Sequence, residues 1–226
     1  MGASAGPDVI DTGLVLALDA GDTNSYSGSG TTWNDLSGNG YTGTLRNSVA
    51  YNSSNGGYFD FDGTDTAITT DLTRDNDNFS YSAWFQYGGG SGERNIIDTF
   101  EATSSEWTRL NVLNGKHAFH IDNDSSKTIL QGSTAQTNVW YNSVGTWDPS
   151  TGSMKLYVNG ELDAQTTKAQ TTTISGLSNL FIGARSSSNY VEEFIGNIAC
   201  VCVYSKTLTA SEIQQNYNAL KSRFIT

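Results

Sequence analysis

An all-β sandwich of two antiparallel sheets, closed by a short C-terminal helix, is the architecture this sequence predicts. Its 226 residues suit a single domain of that type, for which roughly 200–250 residues are usual. With 24 glycines, only two prolines and abundant Ser, Thr and Asn, the composition is that of short strands joined by many turns. Alternation supports the same reading. Phe79, Tyr81, Ala83, Phe85 and Tyr87 share one strand face, with Ser80, Ser82, Trp84 and Gln86 opposite. The end of the chain supplies the closure. Ile198, Cys200, Cys202 and Tyr204 fall on one face of a strand over 194–204 and Ala199, Val201 and Val203 on the other, so both faces are expected to be covered. Thr209 with Glu212 then reads as a capping box, and Ile213, Tyr217, Leu220 and Phe224 recur on one helical face.

Taken in order, residues 1–12 read as an N-terminal arm without core residues, and 13–226 as a single domain. Strands are expected over 13–19, 41–45, 58–62 and 79–87, with a long polar loop over 22–40. In 58–62, Phe59 and Phe61 point one way and Asp60 and Asp62 the other. After the glycine-rich turn at 88–92, further strands are expected over 95–100, 106–113, 116–122, 139–147, 153–159 and 180–185. Asn114-Gly115 and Asn159-Gly160 are two-residue hairpin signals, because both turn positions need positive φ. The Thr-rich stretch 166–178 suits an edge strand, and no internal repeat is present.

A net charge of −11 argues against nucleic acid and against anionic membrane surfaces, both of which need clustered Lys and Arg. No stretch is long and apolar enough to span a membrane, and the first residues show neither the basic start nor the apolar run of a signal peptide. Cys200 and Cys202 are poorly placed to pair with each other and read as small buried apolar groups. The expectation is synthesis in a reducing cytosol, followed by virion association or surface display.

Four stretches carry a family resemblance. They are 13–19 (GLVLALD) with 33–40 (WNDLSGNG), 58–63 (YFDFDG), 140–147 (WYNSVGTW) leading to 155–161 (KLYVNGE), and the strand and helix from Phe194 onward. In this order they resemble laminin-G-like, concanavalin-A-like lectin and glucanase jelly rolls. The resemblance implies a two-sheet antiparallel jelly roll and a glycan or protein ligand. It also implies a Ca²⁺ ion at a sandwich rim, for which Asp62 and Asp65, bracketing Gly63, are the first candidates and Asp19, Asp22 and Asn24 the second. The competing reading is that these acids satisfy turn amides.

Hydrolases of this fold carry carboxylates as Glu-x-Asp-x-Glu, or with one extra residue, on one strand; no Glu-x-Asp-x-Glu is present, and the chain is read as a non-enzyme. His117 and His120, three apart on a strand, face opposite ways and read as surface or hairpin residues. Aromatic platforms beside polar groups suit sugar binding. That singles out Trp84, Trp107 and the loop residues Arg185, Asn189 and Tyr190. The expected function is a binding or adhesion module for a glycan or protein surface, displayed on a virion or cell. The alternative is a structural phage virion protein, a capsid decoration or tail component, contacting other virion proteins through residues 1–12.

Overall fold

The computed structural model describes residues 8–73, 78–99, 106–123, 127–168, 179–185 and 192–225. Their strands, in chain order, are β1 (Leu14–Asp19), β2 (Thr32–Asn34), β3 (Thr42–Arg46), β4 (Ala50–Asn52), β5 (Tyr58–Asp62), β6 (Ala67–Thr70), β7 (Phe79–Tyr87) and β8 (Glu93–Asp98). They continue with β9 (Glu106–Leu113), β10 (Lys116–Asn123), β11 (Lys127–Thr134), β12 (Trp140–Asp148), β13 (Ser153–Val158), β14 (Glu161–Thr167), β15 (Phe181–Ile182) and β16 (Ile195–Tyr204), followed by the helix α1 (Ala210–Leu220). Two antiparallel sheets result. The first runs β14-β13-β12-β7-β16-β5-β4, with β1 also paired to β16; the second runs β11-β10-β9-β8-β15-β6-β3-β2. This is the predicted jelly-roll sandwich.

Alternation places the core as predicted along β7, whose Phe79, Tyr81, Ala83, Phe85 and Tyr87 all enter the layer between the sheets. Phe119, Leu110 and Ile97 meet them from the second sheet. The two hairpin signals also hold, with φ of 50° and 75° at Asn114-Gly115 and 51° and 84° at Asn159-Gly160, both in the left-handed region that a type I′ turn needs. The predicted edge strand over 166–178 lies mostly outside the described residues.

Strand β16 departs from simple alternation. Its register against β7 shifts between Ile198, opposite Phe85, and Cys200, opposite Trp84. A bulge inserts one residue, so Ile198 joins Val201 and Val203 in the sandwich core, while Cys200, Cys202 and Tyr204 turn outward. Ile198 therefore does not share the cysteine face.

That outward face of the first sheet is covered by α1. Thr209 caps the helix, its hydroxyl accepting from the Glu212 amide while the Glu212 carboxylate accepts from the Thr209 amide at 2.9 Å. Polar side chains on the sheet meet polar groups of the cover. Ser80 accepts from the Leu208 amide and donates to the Lys206 carbonyl, and Asn216 donates to the Tyr204 hydroxyl at 2.9 Å. Residues 8–12 follow the same face, the Ile10 amide donating to Asn216 Oδ1 and Gln215 Nε2 to the Asp8 carbonyl. This part of the arm is thus bound to the chain's own helix. Thr209→Ala is expected to lower stability by about 1 kcal/mol, read as a shifted denaturant midpoint with unchanged slope.

Candidate functional site

One face remains, the outer face of the second sheet, and among the described residues no helix or strand lies over it. Its register brings a single transverse row across all eight strands. Thr32 pairs with Thr44, Thr44 with Thr69, Thr69 with Phe181, and Phe181 with Asp98. Asp98 pairs in turn with Arg109, Arg109 with His120, and His120 with Ile129. At roughly 4.8 Å per strand the row spans about 34 Å. Threonines occupy one end and an ionic cluster the middle.

The cluster is centred on Arg109, which is 1 % exposed. Its Nε donates to Asp98 Oδ2 at 2.7 Å, its Nη1 lies 3.1 Å from Glu192 Oε2, and it forms a further ion pair with Glu93. Asn95 ties the acids together, donating to Asp98 Oδ2 at 3.1 Å and to Glu192 Oε2 at 3.2 Å. Arg185 completes the chain, its Nη1 bonding Glu192 Oε1 at 2.9 Å. Burial lowers the Arg109 guanidinium to about 10; Glu192 opposes the fall and Arg185 adds to it, and the group stays cationic at neutral pH.

A second bulge builds this cluster. The register of β8 on β9 shifts between Asn95 and Ile97, so Glu93, Asn95 and Asp98 share the outer face. The spacing is that of the fold's carboxylate triads with one extra residue, carrying an amide in the middle. Inspection for unbroken alternation misses it, and the adjacent Ile96-Ile97, both in the core, are the sequence signal that reveals it.

The aromatic candidates separate. Trp84 is 2 % exposed beneath α1, stacked on Tyr217 at 5.6 Å and on Phe224 at 4.5 Å between ring centroids. It is a packing residue and no sugar can reach its faces. Its polar neighbours on β7 suggest solvent, but the helix covers them too. Trp107 lies beside the ionic cluster and is buried too, with Arg109 at 4.4 Å and Lys127 at 4.8 Å from its ring. Arg185 stands beside this cluster, so Trp107 and Arg185 come together as Trp84 does not. Asn189 and Tyr190 lie outside the described residues.

The histidines are a correction. They face opposite ways, as their spacing requires, yet both are fully buried. His117 points into the sandwich, its Nδ1 sharing a 2.8 Å hydrogen bond with Ser143 and its ring against Phe85 and Tyr141. His120 points into the ionic cluster, where neither ring nitrogen has a hydrogen-bond partner among the described residues. Strand period fixes direction and says nothing about depth.

The threonine end opens into a groove of about 410 Å³ lined by Thr42, Thr44, Arg46, Thr69, Asp71 and Asn179, with Thr70 and Phe181 at its base. This volume is in the range of small-ligand sites. Nothing in the local sequence of these threonines marks them; only pairing of β3, β6 and β15 assembles them.

The calcium candidates fit poorly. Asp62 Oδ1 accepts from the Thr64 amide at 2.9 Å and the Thr66 hydroxyl at 3.2 Å, an Asx turn, and the Asp65 carbonyl accepts from Asn47. Asp19 pairs with Arg223 at 2.7 Å, and Asp22 accepts from the Asn24 amide. Calcium wants six to eight oxygens, and among the described residues no three His, Cys, Asp or Glu side chains converge. No helix among them is long and apolar enough to cross a membrane.

The profile of a family described as the concanavalin A-like lectin/glucanases superfamily matches residues 61–214. A comparison with curated proteins finds no match. Among solved structures, the binding domain of botulinum neurotoxin DC in complex with SialylT superposes with a TM-score of 0.74 at 17% identity, over 93% of this chain and 52% of that one. The same neurotoxin's binding domain in complex with rat synaptotagmin II gives 0.73 at 18% identity, over 93% and 52%. The binding domain of Paraclostridial Mosquitocidal Protein 1 gives 0.73 at 14%, over 92% and 52%. The chain thus spans about half the length of these domains, and at such identities the likeness is one of fold.

Proposed function

The chain belongs to the concanavalin A-like lectin/glucanases superfamily, and from that premise we propose that it is a non-catalytic module binding a glycan at one end of the outer face of its second sheet. The observation that carries this reading is the polar groove at the threonine end of the transverse row. There hydroxyls, an amide, a guanidinium and a carboxylate converge on one open surface. Such mixed donors and acceptors suit a polyhydroxylated ligand. The binding domains similar in fold are described with a sialylated molecule and with a protein, and both kinds of partner fit an adhesion role.

Two features speak against hydrolysis. The central position of the β8 triad is Asn95, and the carboxylates of Glu93, Asp98 and Glu192 are all paired to Arg109. A general acid must be free to deliver a proton to a leaving group, and these carboxylates are engaged with a guanidinium instead. We place the module on a virion or cell surface, in keeping with its acidic balance.

The test is a glycan array probed with the purified chain, with calcium and again with chelator. Binding to a defined sugar class, changed less than about twofold by chelator, is the expected outcome. Calcium-dependent binding would restore Asp62 and Asp65 as metal ligands. No binding in either condition would sink the glycan reading and leave the structural virion role, with co-purifying assembly partners as the next question.

A further inference from the structure

The groove has direction. The Asp71 carboxylate stands at one end, accepting from the Thr42 amide at 3.0 Å, and Arg46 stands at the other. Thr42 and Arg46 are four residues apart on one strand, which at roughly 3.4 Å per residue sets them about 14 Å apart. The hydroxyls of Thr42, Thr44 and Thr69 lie between.

The two ends differ in what they still need. Asp71 already holds a backbone amide. Arg46 is exposed, and its Nε donates to Thr69 Oγ1 at 3.1 Å, which fixes the plane of the guanidinium. No carboxylate lies within ion-pair distance of it among the described residues. In a chain of net charge −11 that absence is informative, because acids outnumber bases nearly two to one, 23 to 12. Arg109, Arg185 and Arg223 all have acidic partners, and Arg94, which also has none among the described residues, is turned to the Glu193 backbone carbonyl instead of the groove. A tethered guanidinium offers a planar pair of N–H groups that matches the two oxygens of a carboxylate.

We propose that the groove takes a carboxylate-bearing sugar, with the acid group on the outer edge of Arg46 and ring hydroxyls along Thr44, Thr69 and Asp71. This rests on the glycan reading above and adds the charge class and the orientation of the ligand. The net field of the protein repels an anion, so recognition is local to Arg46 and favours a short acidic oligosaccharide over a dense polyanion.

The test uses matched ligands: a trisaccharide of galacturonic acid, its neutral galactose counterpart with the same linkage, and a sulfated form, titrated calorimetrically against the intact chain. The uronate is expected to bind about tenfold or more tightly than the neutral sugar. Arg46→Gln should abolish that preference, bringing the uronate down to the affinity of the neutral sugar for the same variant, while Arg46→Lys retains the charge, loses the fork and falls between. Unchanged thermal midpoints of both variants show that they fold. Equal binding of the acidic and neutral sugars, or uronate binding that survives Arg46→Gln, overturns the acidic assignment and leaves the glycan reading standing. Preference for the sulfated form over the uronate overturns the carboxylate assignment. Failure of all three sugars to bind, with array binding also lacking, overturns both.

Discussion

Arg109→Ala is expected to destabilise the protein by about 3–5 kcal/mol, because it leaves the buried Asp98 carboxylate, and the partly buried Glu93 and Glu192 beside it, without their shared cation. Glu93, Asp98 and Glu192 come from two segments nearly a hundred residues apart in sequence and converge on one guanidinium. Asp98 is fully buried, so its charge cannot be hydrated once Arg109 is gone. Asn95 supplies hydrogen bonds to Asp98 and Glu192 but no charge. Urea unfolding of wild type and variant measures the effect, and a loss below about 1 kcal/mol would show that the acids are solvated or protonated instead. Replacing Arg109, Asp98 and Glu192 together by apolar residues of similar volume should recover much of the loss, since removing a whole buried ionic set is far less costly than removing one member. The cluster would then be understood as a positioning device. It ties Arg185 and Glu192 to the middle of the sheet, next to the groove.

What the sequence reveals and what it hides follow one physical division. Local periodicity is written in a few neighbouring residues, so the core face of β7, the strand 58–62, both Asn-Gly hairpins and the capping box at Thr209 are legible from the order of residues alone. Depth and convergence are not local. Trp84 alternates with serines and glutamine and so reads as solvent-facing; it is buried by Phe224 and Tyr217, about 130 residues away. The spacing of the histidines gives the right directions and the wrong depth for the same reason. Bulges add a further limit, because one inserted residue inverts every later assignment on a strand. Such insertions move Ile198 to the core and gather Glu93, Asn95 and Asp98 on one face. Trp107 and Arg185 carry chemistry that suits the surface they share, but the open groove beside them depends on strand pairing. Thr44, Thr69 and Phe181 are separated by 25 and 112 positions, and register alone makes them neighbours.

The two buried histidines lead to the other large expectation, a steep loss of stability in mild acid. Burial lowers His117 to about 4, with Asp163 opposing the fall, and lowers His120 to about 2, where Arg109 and Lys127 add to the effect of burial. In the unfolded chain both titrate near 6.5. As pH falls from 6.5 towards 4 the unfolded state therefore takes up protons that the folded state refuses, and stability falls with pH over that window. Each histidine accounts for about 3 kcal/mol by pH 4, a large share of an ordinary domain's 5–15 kcal/mol. The loss begins above the range in which most carboxylates titrate, which distinguishes it from ordinary acid denaturation. Denaturant midpoints between pH 7 and pH 4 measure it, and His120→Gln should flatten the curve by removing one of the two titrations. A flat profile between pH 6.5 and 4.5 in the wild type would mean that the folded state protonates these rings after all. Arg109→Ala couples the two expectations. With the neighbouring cation gone, His120 moves back towards its ordinary value, so the variant starts less stable at pH 7 and loses less on acidification.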